Sequence, residues 1–258
     1  MSAVSPHHFR STGRRAGAPI AVVTALKEEF EAVLSRARGA RFRETFVEAH
    51  IGTAAVALCL TGDGAGNAGR AAGMLCETVR PTALLGAGVA GALSPGLAIG
   101  GVLVSRRVRD SQGDVPPPDG RLLARALENT RVSAGTFLTV PRPLVLASLK
   151  KALAQSLDDG GPAAADMESS AWARAAASRG IPYLIARAIS DRADEDLPEY
   201  LGRCVGPDGG IRRFSVILRA LAQPATIPAL LRMRGRVLAC AEGLAGFLED
   251  FLSGAAPS

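Results

Sequence analysis

Two short acidic motifs, Asp166-Met167-Glu168 and Ser190-Asp191, bracket a stretch that reads as one helix followed by one strand. Glu168 and Asp191 lie 23 positions apart. The first motif opens an alanine-rich helix predicted over Ser169–Ser178; Gly180 stops it and Pro182 starts the next strand. The second motif closes the apolar run Tyr183–Ile189. Carboxylates in those two places can face one crevice, where one holds a sugar and the other protonates a leaving group. A third acidic pair, Glu28-Glu29, opens a helix predicted over Leu26–Arg38, just after a buried strand at Ile20–Thr24. Each acid also has an ordinary reading. Glu28-Glu29 and Glu168 suit the positive end of a helix dipole, and Asp191 suits an N-cap or the solvated run with Asp194, Glu195 and Asp196. The combination favours chemistry: three acids, each beside a strand end, together with two glycine-rich turns.

Those turns are expected at 62–66, after a strand at Ala54–Thr61, and at 86–91, where a strand at Thr82–Ala87 ends in Gly88-Val89-Ala90-Gly91. Small residues at such places let backbone N–H groups approach sugar or phosphate oxygens. The run beginning at Gly62 does not match G-x-G-x-x-G, and no acid follows at ribose-binding distance, which disfavours a dinucleotide site. Further strands are predicted at Gly101–Ser105 and Val132–Thr139. Helices are predicted at Ala68–Val79 and Pro143–Gln155, and over Ile211–Phe251 in pieces broken at Pro224 and Pro228. Strands alternating with helices imply an α/β fold with a mostly parallel sheet covered on both faces. The expected organisation is a disordered tail over 1–18 and one domain over 19–258, with a helical C-terminal extension from about residue 211.

Composition narrows the function classes. A chain of 258 residues that is 48% hydrophobic can bury a sizeable core. Its net charge of +6 comes from dispersed arginines, without the aromatic-interleaved stripe of a single-strand binder, so no nucleic-acid partner is expected. Cys59, Cys76, Cys204 and Cys240 form no CxxC pair, and the three histidines sit at 7, 8 and 50. A metal site, a disulfide framework and a histidine triad are therefore not expected. No apolar run is long enough to span a membrane, and a cytoplasmic protein is expected.

The segments Ala25-Leu26-Lys27-Glu28-Glu29, Gly88-Val89-Ala90-Gly91, Asp166-Met167-Glu168 and Arg187-Ala188-Ile189-Ser190-Asp191 resemble, in order and spacing, the purine nucleoside phosphorylase / methylthioadenosine–adenosylhomocysteine nucleosidase superfamily. The likeness spans roughly residues 19–198. It implies a three-layer α/β/α sandwich around a twisted mixed, mostly parallel, partly barrel-like sheet. It implies that Asp191 protonates N7 of a departing purine, that Ser190 positions Asp191, and that Glu168 holds ribose hydroxyls with Met167 packed beneath the ribose. Glu29 matches the acid that activates water in the family's hydrolases. Gly62, Gly88, Val89 and Ala90 complete the expected substrate contacts. Leaving-group protonation calls for partly apolar surroundings at Asp191 that favour the protonated acid.

Three departures stand out. Val89 replaces a serine of the nucleosidases' G-S-A-G turn. Val140-Pro141-Arg142-Pro143-Leu144 replaces a base-stacking phenylalanine. The C-terminal extension is longer than in the short nucleosidases. These features are more similar to the hopanoid-associated phosphorylase branch, which implies adenine removal from adenosylhopane, a lipid-linked substrate and contact with the inner membrane surface. The resemblance also implies a homodimer or higher oligomer and no cofactor, with inorganic phosphate as an alternative co-substrate to water. A methylthioadenosine/adenosylhomocysteine-type nucleosidase and an inactive nucleoside-binding protein are the other readings.

Overall fold

The computed structural model describes residues 17–157, 160–198 and 227–254. The expected N-terminal tail, apart from its last two residues, and the start of the C-terminal extension lie outside the described residues. The chain first lays down β1 (Ile20–Thr24), α1 (Lys27–Ser35), β2 (Arg38–Phe42), β3 (Val47–Ile51), β4 (Ala54–Leu60) and α2 (Ala65–Val79). Then come β5 (Ala83–Ala92), β6 (Val102–Asp110), the short β7 (Gly113–Asp114), α3 (Gly120–Ala126), β8 (Val132–Thr139) and α4 (Ala147–Gln155). The last described elements are β9 (Ala163–Asp166), α5 (Ser169–Ala177), β10 (Tyr183–Asp191) and a long helix α6 (Ile227–Ser253). Pro228, where a break between helical pieces is expected, lies inside α6, and Pro224 lies outside the described residues. No described helix is long and apolar enough to cross a membrane.

All ten strands join one sheet. It is mixed, with parallel pairings β1–β4, β1–β5, β5–β10, β6–β8 and β8–β9. The antiparallel pairings are β2–β3, β3–β4, β5–β9, β6–β7 and β6–β10. Several of the antiparallel pairs come from the β2–β3–β4 meander and from β9, neither of which the sequence pattern signals in full. Strand β5 has three partners: β1 along its first half, β10 along most of its length and β9 at Gly91 and Ala92. The pairings β5–β10–β6–β8–β9–β5 therefore close a ring, and β1, β4, β3 and β2 extend from it as an open flange.

Helices cover both faces and make the three layers. On one face, α2 and α5 pack Ala68, Ala72, Leu75, Trp172 and Ala176 against the alternate residues Val23, Cys59 and Ile185. On the other, α1 and α6 pack Val33, Leu244, Leu248 and Leu252 against Val22, Leu58 and Leu85. Consecutive residues of a strand point to opposite faces, so strands buried on both sides are largely apolar, as Tyr183–Ile189 is apart from the buried Arg187.

Strand β5 corrects the sequence reading at one important place. Residues 86–91 are not a turn after a strand but the strand itself, hydrogen-bonded through Gly91. The glycines are there because neighbouring side chains occupy the space a Cβ would need. A Cβ on Gly88 would collide with the Arg187 guanidinium and come within 3.0 Å of Glu29 Oε1. One on Gly91 would lie 2.8 Å from Asp191 Oδ2.

Candidate active site

The carboxyl ends of β1, β5 and β10 open into a cavity of about 170 Å³. Its lining contains Glu29, Val89, Ala90, Met167, Glu168, Ser190 and Asp191, together with Asp63, Lys150 and Arg187. Ligands of open α/β sheets bind at this end of the strands. Of the expected contacts, Gly62 and Gly88 lie outside the cavity lining. Gly88 lies beneath the Arg187 side chain. In the loop after β4 it is Gly64, not Gly62, whose backbone turns inward.

Glu29 is the third residue of α1 and is 1% exposed. Its Oε2 accepts from Ala25 N (3.0 Å) and Leu26 N (2.9 Å), closing the open N-terminus of the helix. Its Oε1 reaches across to accept from Val89 N at 2.9 Å. Glu29 thus serves the start of the helix and also stands in the cavity lining. Burial raises its pKa above the ordinary carboxylate value, and the Arg187 charge and the three N–H donors oppose that rise.

Glu168 occupies the N-cap position of α5 but does not cap it. Asp166 does that work: its Oδ1 accepts from Glu168 N (3.1 Å) and Ser169 N (3.0 Å). The Glu168 carboxylate is thereby free to turn into the cavity. There Oε1 accepts from Gly64 N at 2.9 Å and Oε2 lies 3.4 Å from Arg187 Nη2. Gly64 has φ 84°, a backbone conformation that suits glycine and aims its N–H at the carboxylate. Burial pushes Glu168 up to about 7, helped by the Asp166 charge and opposed by Arg187.

Arg187 is the hub of the buried charges. It is 1% exposed, and its guanidinium lies against the Trp172 ring at 4.5 Å from the centroid. Its Nε is 3.3 Å from Asp166 Oδ2, Nη1 donates to Val89 O, and Nη2 donates to Ser169 Oγ at 3.2 Å. One rigid cation thus holds Asp166 and Glu168 and lowers the cost of burying Glu29. Asp166 completes its bonds with Thr139 Oγ1 at 3.0 Å and with the Ser169 hydroxyl.

Asp191 ends β10. Between Ile189 and Asp191 the register against β5 slips, so Ser190 is an extra residue bulged out of the ladder. Bulges of this kind re-aim side chains beside active sites. Here the bulge lets Ser190 Oγ donate to Asp191 Oδ1 at 2.6 Å while lying 3.2 Å from Ala90 O. The other oxygen, Oδ2, receives the Lys150 ammonium at 2.6 Å. Beside the aliphatic part of the wall, a buried cation from α4 faces the carboxylate, a contact the sequence did not signal. Lys150 is 1% exposed, and its Nζ also donates to Arg192 O (2.7 Å) and Glu195 O (2.9 Å).

The remaining wall is aliphatic. Val140, Pro143 and Leu144 come from the segment after β8, Leu197 from beyond β10, and Met233 and Val237 from α6. The absent phenylalanine is replaced by this aliphatic surface, which can cover one face of a flat ring. The C-terminal half of α6 packs in the core, with Cys240, Leu244 and Leu248 buried, while its first turns line the cavity. Among the described residues, Cys59, Cys76 and Cys240 are free and buried, and burial pushes the Cys59 and Cys76 thiols up to about 11, so they are inert rather than nucleophilic.

Sequence reasoning found the three carboxylates, Ser190, Met167, Val89 and Ala90, and the fold brings them together. It gave Arg187 no role, although the residue stands inside the quoted motif. It missed Lys150, because Lys150-Lys151 on a helix reads as a solvated pair. Lys151 is exposed; only the packing of α4 under the loop after β10 buries its neighbour.

The profile of the phosphorylase superfamily matches residues 19–202. A 5′-methylthioadenosine/S-adenosylhomocysteine nucleosidase from Chromohalobacter salexigens is 28% identical over 205 residues, 69% of this chain and 86% of that protein. The structure of the nucleosidase of the same name from Neisseria meningitidis, in complex with methylthio-immucillin-A, superposes with a TM-score of 0.71 at 19% identity, covering 92% of this chain and 99% of that one. Futalosine hydrolase of Helicobacter pylori superposes with a TM-score of 0.69 at 18% identity, covering 91% and 97%.

Proposed function

Because the chain belongs to the phosphorylase superfamily, we propose that this cavity cleaves the N-glycosidic bond between adenine and the ribose of a nucleoside. One observation carries the reading: three buried carboxylates, from α1, from the start of α5 and from the end of β10, converge on a single cavity. Asp191 gives a proton to N7 of the purine as the C1′–N9 bond breaks and the bonding electron pair stays with the base. Glu168 accepts hydrogen bonds from ribose hydroxyls. These bonds strengthen as positive charge develops on the ribosyl ring, the logic of glycoside hydrolysis. Met167 packs beneath the ribose, and Ser190 fixes the Asp191 carboxylate.

Water is the nucleophile in this account. Glu29 takes the proton of a water that attacks C1′, and its raised pKa makes it a better base near neutrality. Phosphate would need a cation free to bind it. The two cations in the described lining, Lys150 and Arg187, are each engaged by carboxylate and carbonyl oxygens. For the sugar's 5′ substituent we favour an apolar group, as in adenosylhopane, because Val89 and the α6 residues Met233 and Val237 make the lining more aliphatic than a hydroxyl-bearing turn would. Methylthioadenosine is the second reading, supported by the similarity to nucleosidases of that name.

The test is adenine release from adenosyl nucleosides with short and long apolar 5′ substituents, with and without phosphate. Release that is independent of phosphate and lost in Asp191→Asn is the expected result. No release from any of these substrates, or an Asp191→Asn chain as active as the parent, would overturn the reading.

A further inference from the structure

We propose that Lys150 is a positioning residue for the acid Asp191. This inference rests on the reading of Asp191 as the proton donor to the leaving base. Lys150 is held in place from three sides: its ammonium has three N–H donors, and the three acceptors within hydrogen-bond distance are Asp191 Oδ2, Arg192 O and Glu195 O. The ammonium therefore has no bond left for a ligand. Its buried stem comes from α4, an element that otherwise contributes nothing to the cavity lining.

The geometry has two consequences. First, Lys150 ties the Asp191 carboxylate to the backbone of the loop that follows it, while Ser190 holds the other oxygen at 2.6 Å. Together they leave the carboxylate no freedom to rotate away from the cavity. Second, the ammonium at 2.6 Å stabilises the carboxylate that Asp191, 5% exposed, becomes as its proton passes to the base, a carboxylate that would otherwise be an unpaired buried charge. Lys150 acts on the leaving group only through Asp191. Its loss should therefore harm reactions that need leaving-group protonation and spare those that do not.

The experiment compares two substrates in the full-length chain. One is an adenine nucleoside, whose base leaves poorly without a proton. The other is 4-nitrophenyl β-ribofuranoside, whose nitrophenolate leaves without help. Lys150→Met is expected to lower kcat on the nucleoside about 10²-fold, with KM nearly unchanged, and to leave the nitrophenyl substrate within about 3-fold. Adding Lys150→Met to Asp191→Asn is expected to lower nucleoside cleavage no further, since residues that act through one another are not additive. The double variant carries no uncompensated buried charge, so this comparison stands even where Lys150→Met alone does not fold. Equal losses on both substrates, or a further loss in the Asp191→Asn background, would overturn the proposal. If Asp191→Asn itself cleaves the nucleoside normally, the acid assignment fails instead, and the two failures are told apart.

Discussion

Replacing Glu168 by glutamine should raise the protein's stability relative to the parent as the pH rises, while damaging its site. Burial moves this carboxyl from 4.5 to about 7. The folded value lies above the unfolded one, so Glu168 is neutral and without cost below about pH 4.5. As the pH rises toward 7 the unfolded chain ionises the group while the fold resists, and stability falls until the folded group has ionised too. At roughly 1.4 kcal/mol per pH unit, the gap amounts to about 3 kcal/mol. Glutamine does not titrate and retains an oxygen that can accept from Gly64 N. The stability of Glu168→Gln relative to the parent should therefore improve by about 2–3 kcal/mol between about pH 5 and about pH 8. In a chain of this size that is a relative rise in Tm of roughly 5–10 °C. The attraction of Arg187 for the ionised carboxylate is already contained in the value of about 7, so the pH dependence of the difference is the readout, taken from urea unfolding of the two chains. Parallel curves across that range would show that Glu168 titrates like an exposed carboxylate and would refute the burial argument.

Asp191→Asn should lower kcat by about 10²- to 10⁴-fold with KM changed only a few-fold, because an amide cannot donate an acidic proton; steady-state adenine release checks this. Gly91→Ala puts a Cβ 2.8 Å from Asp191 Oδ2 and should cost about 10²-fold in kcat by displacing that carboxylate, with unfolding measured in parallel. Arg187→Met leaves Asp166, Glu168 and Glu29 without their cation and should cost about 3–5 kcal/mol in denaturant unfolding at neutral pH. That loss should shrink in acid, where the carboxylates are protonated.

What could be read from the sequence were features whose chemistry is local. Apolar runs marked β1, β4, β8 and β10, and acids beside strand ends marked Glu29, Glu168 and Asp191. Elements defined by their neighbours could not be read. Strand β2, Arg-Gly-Ala-Arg-Phe, is exposed throughout and shows no apolar alternation. Strand β9, Ala163–Asp166, is buried but made of alanines with no strand preference of their own. The glycines at 86–91 look like a turn until Arg187 and Asp191 are seen in the space they vacate. Lys150 is the clearest case: beside Lys151 on an amphipathic helix, nothing local separates the buried lysine from the solvated one.

We propose that these carboxylates make water the nucleophile at C1′ of an adenine nucleoside. The most direct test is the turnover of such a nucleoside in ¹⁸O-labelled water, with phosphate present, followed by mass analysis of the sugar product. The account predicts one labelled oxygen at C1 of the free sugar, formed in step with adenine and abolished in Asp191→Asn. A sugar 1-phosphate without label would contradict it, as would the absence of adenine.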